Sequence, residues 1–485
     1  FAIIDSMLKA RYRRILRFFA GSLLNILWWD LILPPIGLAK LARRTRERRL
    51  RRIASRYRGL AVQLGGVMIK IGQWLSTRLD VLPPAITEEL AGLQDEVAPE
   101  TFDAIRSVIE SEFGQPLESV FFQFDPKPVA AASIGQVHYA HLSIESEGSN
   151  PPVIVKVQRP NIEVLIETDQ AALSVVSRWL QLYKPIRQRV NLPALINEFN
   201  RTLSEEVDYF HEGQNADTFA GNFFGDKVVR VPQVIWSHTT RRVLTLENVE
   251  GIKITDYAAM DTLGIDRKKV AKQLFDAYLK QIFDDHFFHA DPHPGNLFVL
   301  PTLPEDGLEE EIEINWQVVF VDFGMTGQVT PNVVAGLREL VFAVAERDGN
   351  RVIKAYQLMG VLVPNADLDL LRQANQRAFE RFWGLTTPEL MALRQTEAVE
   401  FVSEFRELIF SAPFQLPSNL ILLGRCLTIL NGICTGLDPD FNVWLLVLPW
   451  AEKLIKGENG HQVEVFLKEA ASALTSLALL PGKAE

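Results

Sequence analysis

HFFHADPHPGNLFVL, residues 286–300, and VVFVDFG, residues 318–324, together decide the fold. The first stretch invites a metal reading, because His286, His289 and His293 stand three and four residues apart. That spacing aligns side chains only on a continuous helix, and Pro292 and Pro294 exclude one. A zinc site on His289 and His293, and with it a metallohydrolase, is therefore the poorer reading. His289 is expected to brace the loop, and His293 to line the site or cap backbone. Asp291 and Asn296 form the stronger pair. They lie five apart on a proline-stiffened loop, LFVL follows, and Val318–Val321 then reads as a strand ending in Asp322-Phe323-Gly324. Phosphoryl transfer uses such parts: one Asp orients the attacking hydroxyl or water, while an Asn carbonyl and a second Asp hold Mg²⁺ against the phosphates. Magnesium suits these oxygen donors because it needs few protein ligands.

Working outward, Lys156 interrupts the apolar strand VIVKVQRP, residues 153–160. An ammonium there implies a phosphate or carboxylate partner, with placement on an exposed edge strand as the alternative. Glu205, Glu206 and Glu212 are all available in RTLSEEVDYFHEGQN, residues 201–215, and spacing does not choose among them. Neither GxGxxG nor GxxxxGK[ST] occurs, so no Rossmann or Walker loop is expected. Ala130-Ala131-Ala132-Ser133-Ile134-Gly135 takes the strand–turn–strand position instead. Alanines stiffen this loop, Ser133 adds a hydroxyl and Gly135 is the one conformationally permissive point, so it would cover phosphates with an altered nucleotide preference.

The composition, 47% hydrophobic and 23% charged, suits a sizeable core. Two cysteines, Cys426 and Cys434, make no disulfide framework and fit a reducing compartment. The net charge of -10 is uneven: residues 1–60 hold fifteen Lys/Arg against three Asp/Glu, which leaves -22 for the rest. RYRRILRFF at 11–19 and KLARRTRERRLRRIASRYR at 40–58 flank an apolar piece containing Trp28 and Trp29. Arginine-flanked tryptophans fit the edge of an anionic membrane better than a packing arm on the protein's own core, and better still than nucleic acid. Asp30 and Pro34–Pro35 break the apolar run, so surface or re-entrant association is expected rather than a span. The chain starts at Phe1, which leaves room for a preceding targeting segment.

Coarse patterning gives helix over 36–112 and 161–220, strands over 128–160, two more strands at Gln233–Ser237 and Arg242–Leu246, and a helix over Lys268–Phe287. SEGSNPP (146–152) and the acidic PTLPEDGLEEEIEIN (301–315) read as loops, and mostly helices follow. Leu420–Cys434 is an apolar segment, and Val443–Pro449 and Leu474–Leu480 read as buried or interfacial rather than spanning.

KIGQ (70–73), AAASIGQVH (130–138), VKVQRP (155–160), EEVDYFHEGQN (205–215), HADPHPGN (289–296) and VDFG (321–324) occur in this order. As a set they resemble the ABC1/ADCK/UbiB family of atypical protein-kinase-like proteins. The resemblance implies an α+β, two-lobed protein-kinase-like fold with a small antiparallel-sheet N-lobe, a helical C-lobe and an N-terminal helical extension over the active site. It divides the chain into a basic, apolar membrane-associating segment (1–60), a KxGQ extension (61–125), an N-lobe (126–249) and a C-lobe with a helical tail (250–485). It further implies ATP or ADP with Mg²⁺ as cofactors. Lys156 would orient the α- and β-phosphates with Glu212 as its partner, Asp291 would be the catalytic-loop Asp, and Asn296 and Asp322 would hold the metal. Ala130, Ala131, Ala132, Ser133 and Gly135 would cover the phosphates, and the hinge Leu246–Val249, including Glu247 and Val249, would meet adenine through backbone groups. Lys70 and Gln73 would regulate the site, Lys70 by approaching the carboxylates of Glu206 and Asp208. Gly72 would let that helix pack closely.

Such a protein would be an ATP-dependent kinase or ATPase supporting prenylquinone or isoprenoid-lipid metabolism. Its partners would be membrane lipids, anionic ones included, and lipid- or prenylquinone-biosynthesis enzymes. Its place would be the cytoplasmic face of a membrane in a bacterial cell rather than an organelle. A nucleotide-binding pseudokinase scaffold and a true protein kinase are the alternatives. The kinase alternative is weakened because MTGQVTPNVVAGLREL (325–340) has no APE segment.

Overall fold

The structure is a computed structural model, describing the chain from Ala2 to Asn442 apart from residues 77–81, 92, 94–97, 143–149, 184–186, 188–191, 303–314, 364–365, 383–413 and 415–416. The turn of SEGSNPP, the acidic loop, Val443–Pro449 and Leu474–Leu480 therefore lie largely or wholly outside the described residues. Two compact units result. One comprises Phe1–Thr218, Pro232–Val249 and Asp322–Gly324, and the other holds the remainder.

The first unit contains an antiparallel sheet in the order Gln123–Phe124, Gly135–His141, Pro152–Gln158, Val243–Glu247, with Ala130–Ala131 also paired to Gly135–His141. Period-two alternation sorts the strand Pro152–Gln158. Val153, Val155 and Val157 are buried against Ile105, Ile109 and Phe121, which leaves Ile154, Lys156 and Gln158 on the opposite face. Only one of the two strands expected after residue 232 forms. Val234 makes a single bridge to Leu246, and Trp236–His238 is a 3₁₀ turn. Hydroxyls compete with the ladder there: Thr240 Oγ1 accepts from the amides of Arg242 and Val243, and Thr239 Oγ1 from that of Thr245.

The helices Ala2–Leu27, Ala39–Leu64, Val67–Ser76 and Pro84–Ala91 form the N-terminal extension. They share one apolar core with Ile162–Gln181 and Leu192–Val207. Ile134, from the alanine turn, belongs to that core beside Met68 and Ile69. Gly72 serves close packing, since a Cβ there would strike Leu93 and sit 3.0 Å from the Tyr57 ring.

The basic N-terminus departs from its expected role at one arginine. Arg11 does not face outward: its Nε and Nη2 meet the two oxygens of fully buried Asp169 at 2.6 Å, and its Nη1 donates to Leu64 O at 2.6 Å. The apolar run is also less broken than expected. A π turn at Trp28–Ile32 and a 3₁₀ turn at Pro34–Ile36 extend the first helix, and Ser6–Ile36 is long and apolar enough to cross a membrane. Asp30 is accommodated by Arg49 at 3.5 Å and the Tyr183 hydroxyl at 3.2 Å.

The second unit has a four-stranded sheet, Val229–Arg230, Asn315–Phe320, Leu297–Thr302, Ile252–Lys253, and a ribbon of Phe287–His289 with Thr326–Gln328. Among the described residues its longer helices are Arg267–Phe283, Pro331–Glu346, Gly349–Met359, Leu368–Phe382 and Ser418–Leu437. Asp266 caps the first of these by accepting from the amides of Lys268 and Lys269. That helix stops at Phe283, four residues short of the expected end. His286 adopts a left-handed φ of 56°, and Lys280 clamps Asp285 at 2.6 Å. The apolar Asn419–Leu437 also has the length of a span, but Cys426, Leu430 and Cys434 are fully buried in this unit.

Candidate functional site

The first unit gathers two carboxylates around Lys156. Its Nζ lies 2.5 Å from Glu212 Oε1 and 3.3 Å from Asp322 Oδ2. Of the three glutamates available by spacing, Glu212 is the one on this lysine, and only 3% of its side chain is exposed. Glu206 instead pairs with Lys70. Burial would lower the Lys156 pKa, but Asp322 and Glu212 outweigh it and hold the ammonium firmly charged. Burial raises Glu212 to about 7, with the attraction of Lys156 opposing it. Glu212 also accepts from the Phe323 amide.

Asp322 is nearly half exposed and has φ 65°, a left-handed value that costs a non-glycine residue energy. Asn215 Nδ2 donates to Phe323 O at 3.1 Å and the Gly324 amide to Asp322 Oδ1 at 3.3 Å. The strained triplet is thus tied from the helix that carries Glu212. Asn215 carried no assigned role in the sequence reading, although three residues after Glu212 puts it on the same helix face.

The alanine turn is held by Arg159 of VKVQRP, a residue to which spacing alone gives no role. Arg159 donates through Nε to Ala132 O at 3.0 Å, through Nη2 to Ala98 O at 2.7 Å, and pairs with Glu100, while its amide reaches Ile134 O at 2.8 Å. Gln158 donates to Val207 O and, at 3.1 Å, to Arg241 O, bracing the chain between Glu206 and Asp208. Asp208 accepts from the Phe210 amide at 3.1 Å, and its second oxygen meets Arg241 at 3.3 Å.

Two expectations for the turn need correction. Ser133 is fully buried, so its hydroxyl faces the packed side. Gly135 does not have a positive φ; it is required for space, because a Cβ would strike the Tyr209 hydroxyl and lie 2.7 Å from Val157 O. Gly135→Ala is therefore expected to cost about 1–3 kcal/mol by overpacking, read as a lower urea midpoint. Adding Tyr209→Phe should recover only part, since the Val157 carbonyl cannot move aside. At the expected hinge the Glu247 amide donates to Gln233 O at 2.8 Å, and Val249 follows half-buried.

In the second unit, HADPHPGN folds into a self-bonded turn. The His293 amide donates to Asp291 O at 2.7 Å and the Asn296 amide to His293 O at 2.8 Å. Asn296 Nδ2 donates to Asp291 O at 3.1 Å and Oδ2 at 3.2 Å, which leaves the Asn296 carbonyl for other work. Val321, just before Asp322, donates its amide to Asn296 O at 3.0 Å. His289 is buried, with Nε2 3.3 Å from Val321 O, and His293 Nδ1 accepts from the Gly295 amide at 3.1 Å. The two histidines thus serve the backbone. Among the described residues no group of three or more His, Cys, Asp or Glu is placed to hold a metal.

In class the molecule is kinase-like. Residues 92–356 match the profile of the ABC1 atypical kinase-like domain. An uncharacterized protein of Synechocystis is 35% identical over 85% of this chain and 67% of its own length. The protein ACTIVITY OF BC1 COMPLEX KINASE 8, chloroplastic, of Arabidopsis thaliana is 34% identical over 84% of this chain and 54% of its own. A probable protein kinase UbiB of Xanthomonas campestris is 34% identical over 88% and 74%. The chain belongs to the ABC1 atypical kinase-like family. Its fold is similar to that in the Rv3197–erythromycin complex from Mycobacterium tuberculosis, with a TM-score of 0.51, 20% identity, and coverage of 79% of this chain and 92% of the other. Relatives come from bacteria and from a chloroplast, so kinship does not favour a bacterial cell over an organelle.

Proposed function

We propose that this chain is a Mg²⁺-dependent ATPase or phosphoryl-transfer enzyme that works at a membrane in support of prenylquinone or isoprenoid-lipid metabolism. The observation that carries this reading is the set Lys156, Glu212 and Asp322. One ammonium against two carboxylates has an excess negative charge, which by itself repels a phosphate tail. A divalent cation reverses that sign, so the donor set fits Mg²⁺ and the phosphates arriving together. Asp322 would offer an oxygen to the metal, and the family resemblance gives the Asn296 side-chain carbonyl the same role. When bound, Mg²⁺ would neutralise charge on the transferring phosphoryl. Lys156 orients the α- and β-phosphates, Glu212 holds Lys156 in place, and Asp291 orients the attacking hydroxyl or water.

Residues 1–60 would be the membrane-associating segment, 61–125 the KxGQ extension, 126–249 the N-lobe and 250–485 the C-lobe. The exposed Leu24, Trp28, Leu31 and Ile36 beside the arginines of Ala39–Leu64 support contact with anionic lipids. Pairing of Lys70 with Glu206 supports a regulatory KIGQ helix and argues against an open peptide groove.

Asp322→Asn tests the reading, because Asn tolerates the left-handed φ while losing the charge. Mg²⁺-dependent ATP affinity should fall by about 100-fold, and turnover on anionic vesicles should disappear. Unchanged affinity and turnover would refute the assignment. Tight ATP binding by the unaltered chain with no turnover would favour a scaffold.

A further inference from the structure

The catalytic-loop region has no cation of its own. From Gln281 to Leu337 the sequence holds neither lysine nor arginine. Phosphoryl transfer concentrates negative charge around the attacking and transferring oxygens, and a carboxylate that orients the nucleophile adds another. The missing positive charge comes from much further along the chain: Arg425 Nη2 lies 3.5 Å from Asp291 Oδ1.

The position of Arg425 follows from packing. It lies on the helix Ser418–Leu437, whose Cys426, Leu430, Cys434 and Leu437 are buried along one helical face. Cys426 Sγ donates to His289 O at 3.4 Å, and Cys434 Sγ to Ala271 O at 3.6 Å. The residue next to Arg425 is thus docked two positions before Asp291. Asp291 is then held at both oxygens, with Arg425 at Oδ1 and the Asn296 amide group at Oδ2. About a third of each side chain in the ion pair is exposed, and a pair so exposed contributes little to folding. Its value lies in the direction it gives the carboxylate.

We propose that Arg425 is a positioning residue for Asp291, fixing the carboxylate that orients the attacking group and supplying the positive charge that the loop lacks. This rests on the reading of Asp291 given above. The test is steady-state ADP release from Mg-ATP by the purified full chain on anionic vesicles. It compares Arg425→Met, Arg425→Lys, Asp291→Asn and the double variant Arg425→Met/Asp291→Asn. Arg425→Met should lower kcat by about 10- to 100-fold, the range for losing a partner that orients an active group, with KM for ATP little changed. Arg425→Lys should restore part of kcat, and the double variant should be no slower than Asp291→Asn alone.

Normal kcat in Arg425→Met beside an inactive Asp291→Asn would overturn this proposal and leave the proposed function standing. Full activity in Asp291→Asn would overturn both. If Arg425→Met fails to fold, Arg425→Lys with Asp291→Asn carries the comparison, and a lysine variant whose loss multiplies with that of Asp291→Asn overturns the proposal.

Discussion

Lys156→Met is expected to destabilise the chain by about 3–5 kcal/mol near pH 8, the usual cost of removing one partner from a buried pair, and to abolish the thermal shift on adding Mg-ATP. Methionine fills the space but leaves Glu212, 3% exposed, facing Asp322 with no ammonium between them. The penalty should depend on pH with a definite sign. Glu212 has its folded pKa raised from 4.5 to about 7, so the folded chain holds this proton more tightly than the unfolded chain. Its contribution to stability is complete below pH 4.5 and is lost as the pH rises through 7. Without Lys156 the carboxyl titrates higher still, so the variant should lose least at pH 5 and most at pH 8. Urea unfolding of both proteins at the two pH values measures this, and an equal penalty at both would contradict the buried-pair account.

Arg11→Met should cost a similar amount, about 3–5 kcal/mol. Asp169 is fully buried, and burial raises its pKa while Arg11 works to hold it down. Arg11 also satisfies the carbonyls at Leu64 and Gly65 that end the helix Ala39–Leu64. Lysine should rescue poorly, because one ammonium cannot reproduce the fork on both carboxylate oxygens and the carbonyls. Hydrogen exchange should quicken in Ala2–Leu27 and Ile162–Gln181, with the sheet strands largely spared. Exchange rates unchanged in both helices would remove the latch from the account of stability.

Much of the chemistry was legible because it sits on short, regular spacings. Alternation in VIVKVQRP made Lys156 conspicuous, and two prolines turned three histidines from a ligand set into loop furniture. Choosing Glu212 over Glu205 or Glu206 needed either kinship or coordinates, since a helix start two residues away changes which carboxylate faces the strand. Charge counting could not see that Arg11 is buried among its exposed neighbours, because net charge carries no direction. Nor could it connect Arg425 to Asp291, which meet only through the packing of a distant helix. Gly135 misled for a simpler reason: a glycine supplies space as often as it supplies a positive φ, and only neighbouring atoms tell the two apart.

The strand Pro152–Gln158 leaves no slack in its length. Three valines on one side seal the sheet, while Lys156 and Gln158 on the other meet Glu212 and the Glu206–Asp208 turn, and Arg159 follows at once to pin the alanines. Inserting or deleting one residue between Val153 and Lys156 would exchange the two sides, putting an ammonium into oil and a valine beside Glu212. Drift in this segment must therefore proceed by substitution alone, and a homologue with a length change here should have lost the counterpart of the Lys156–Glu212 pair.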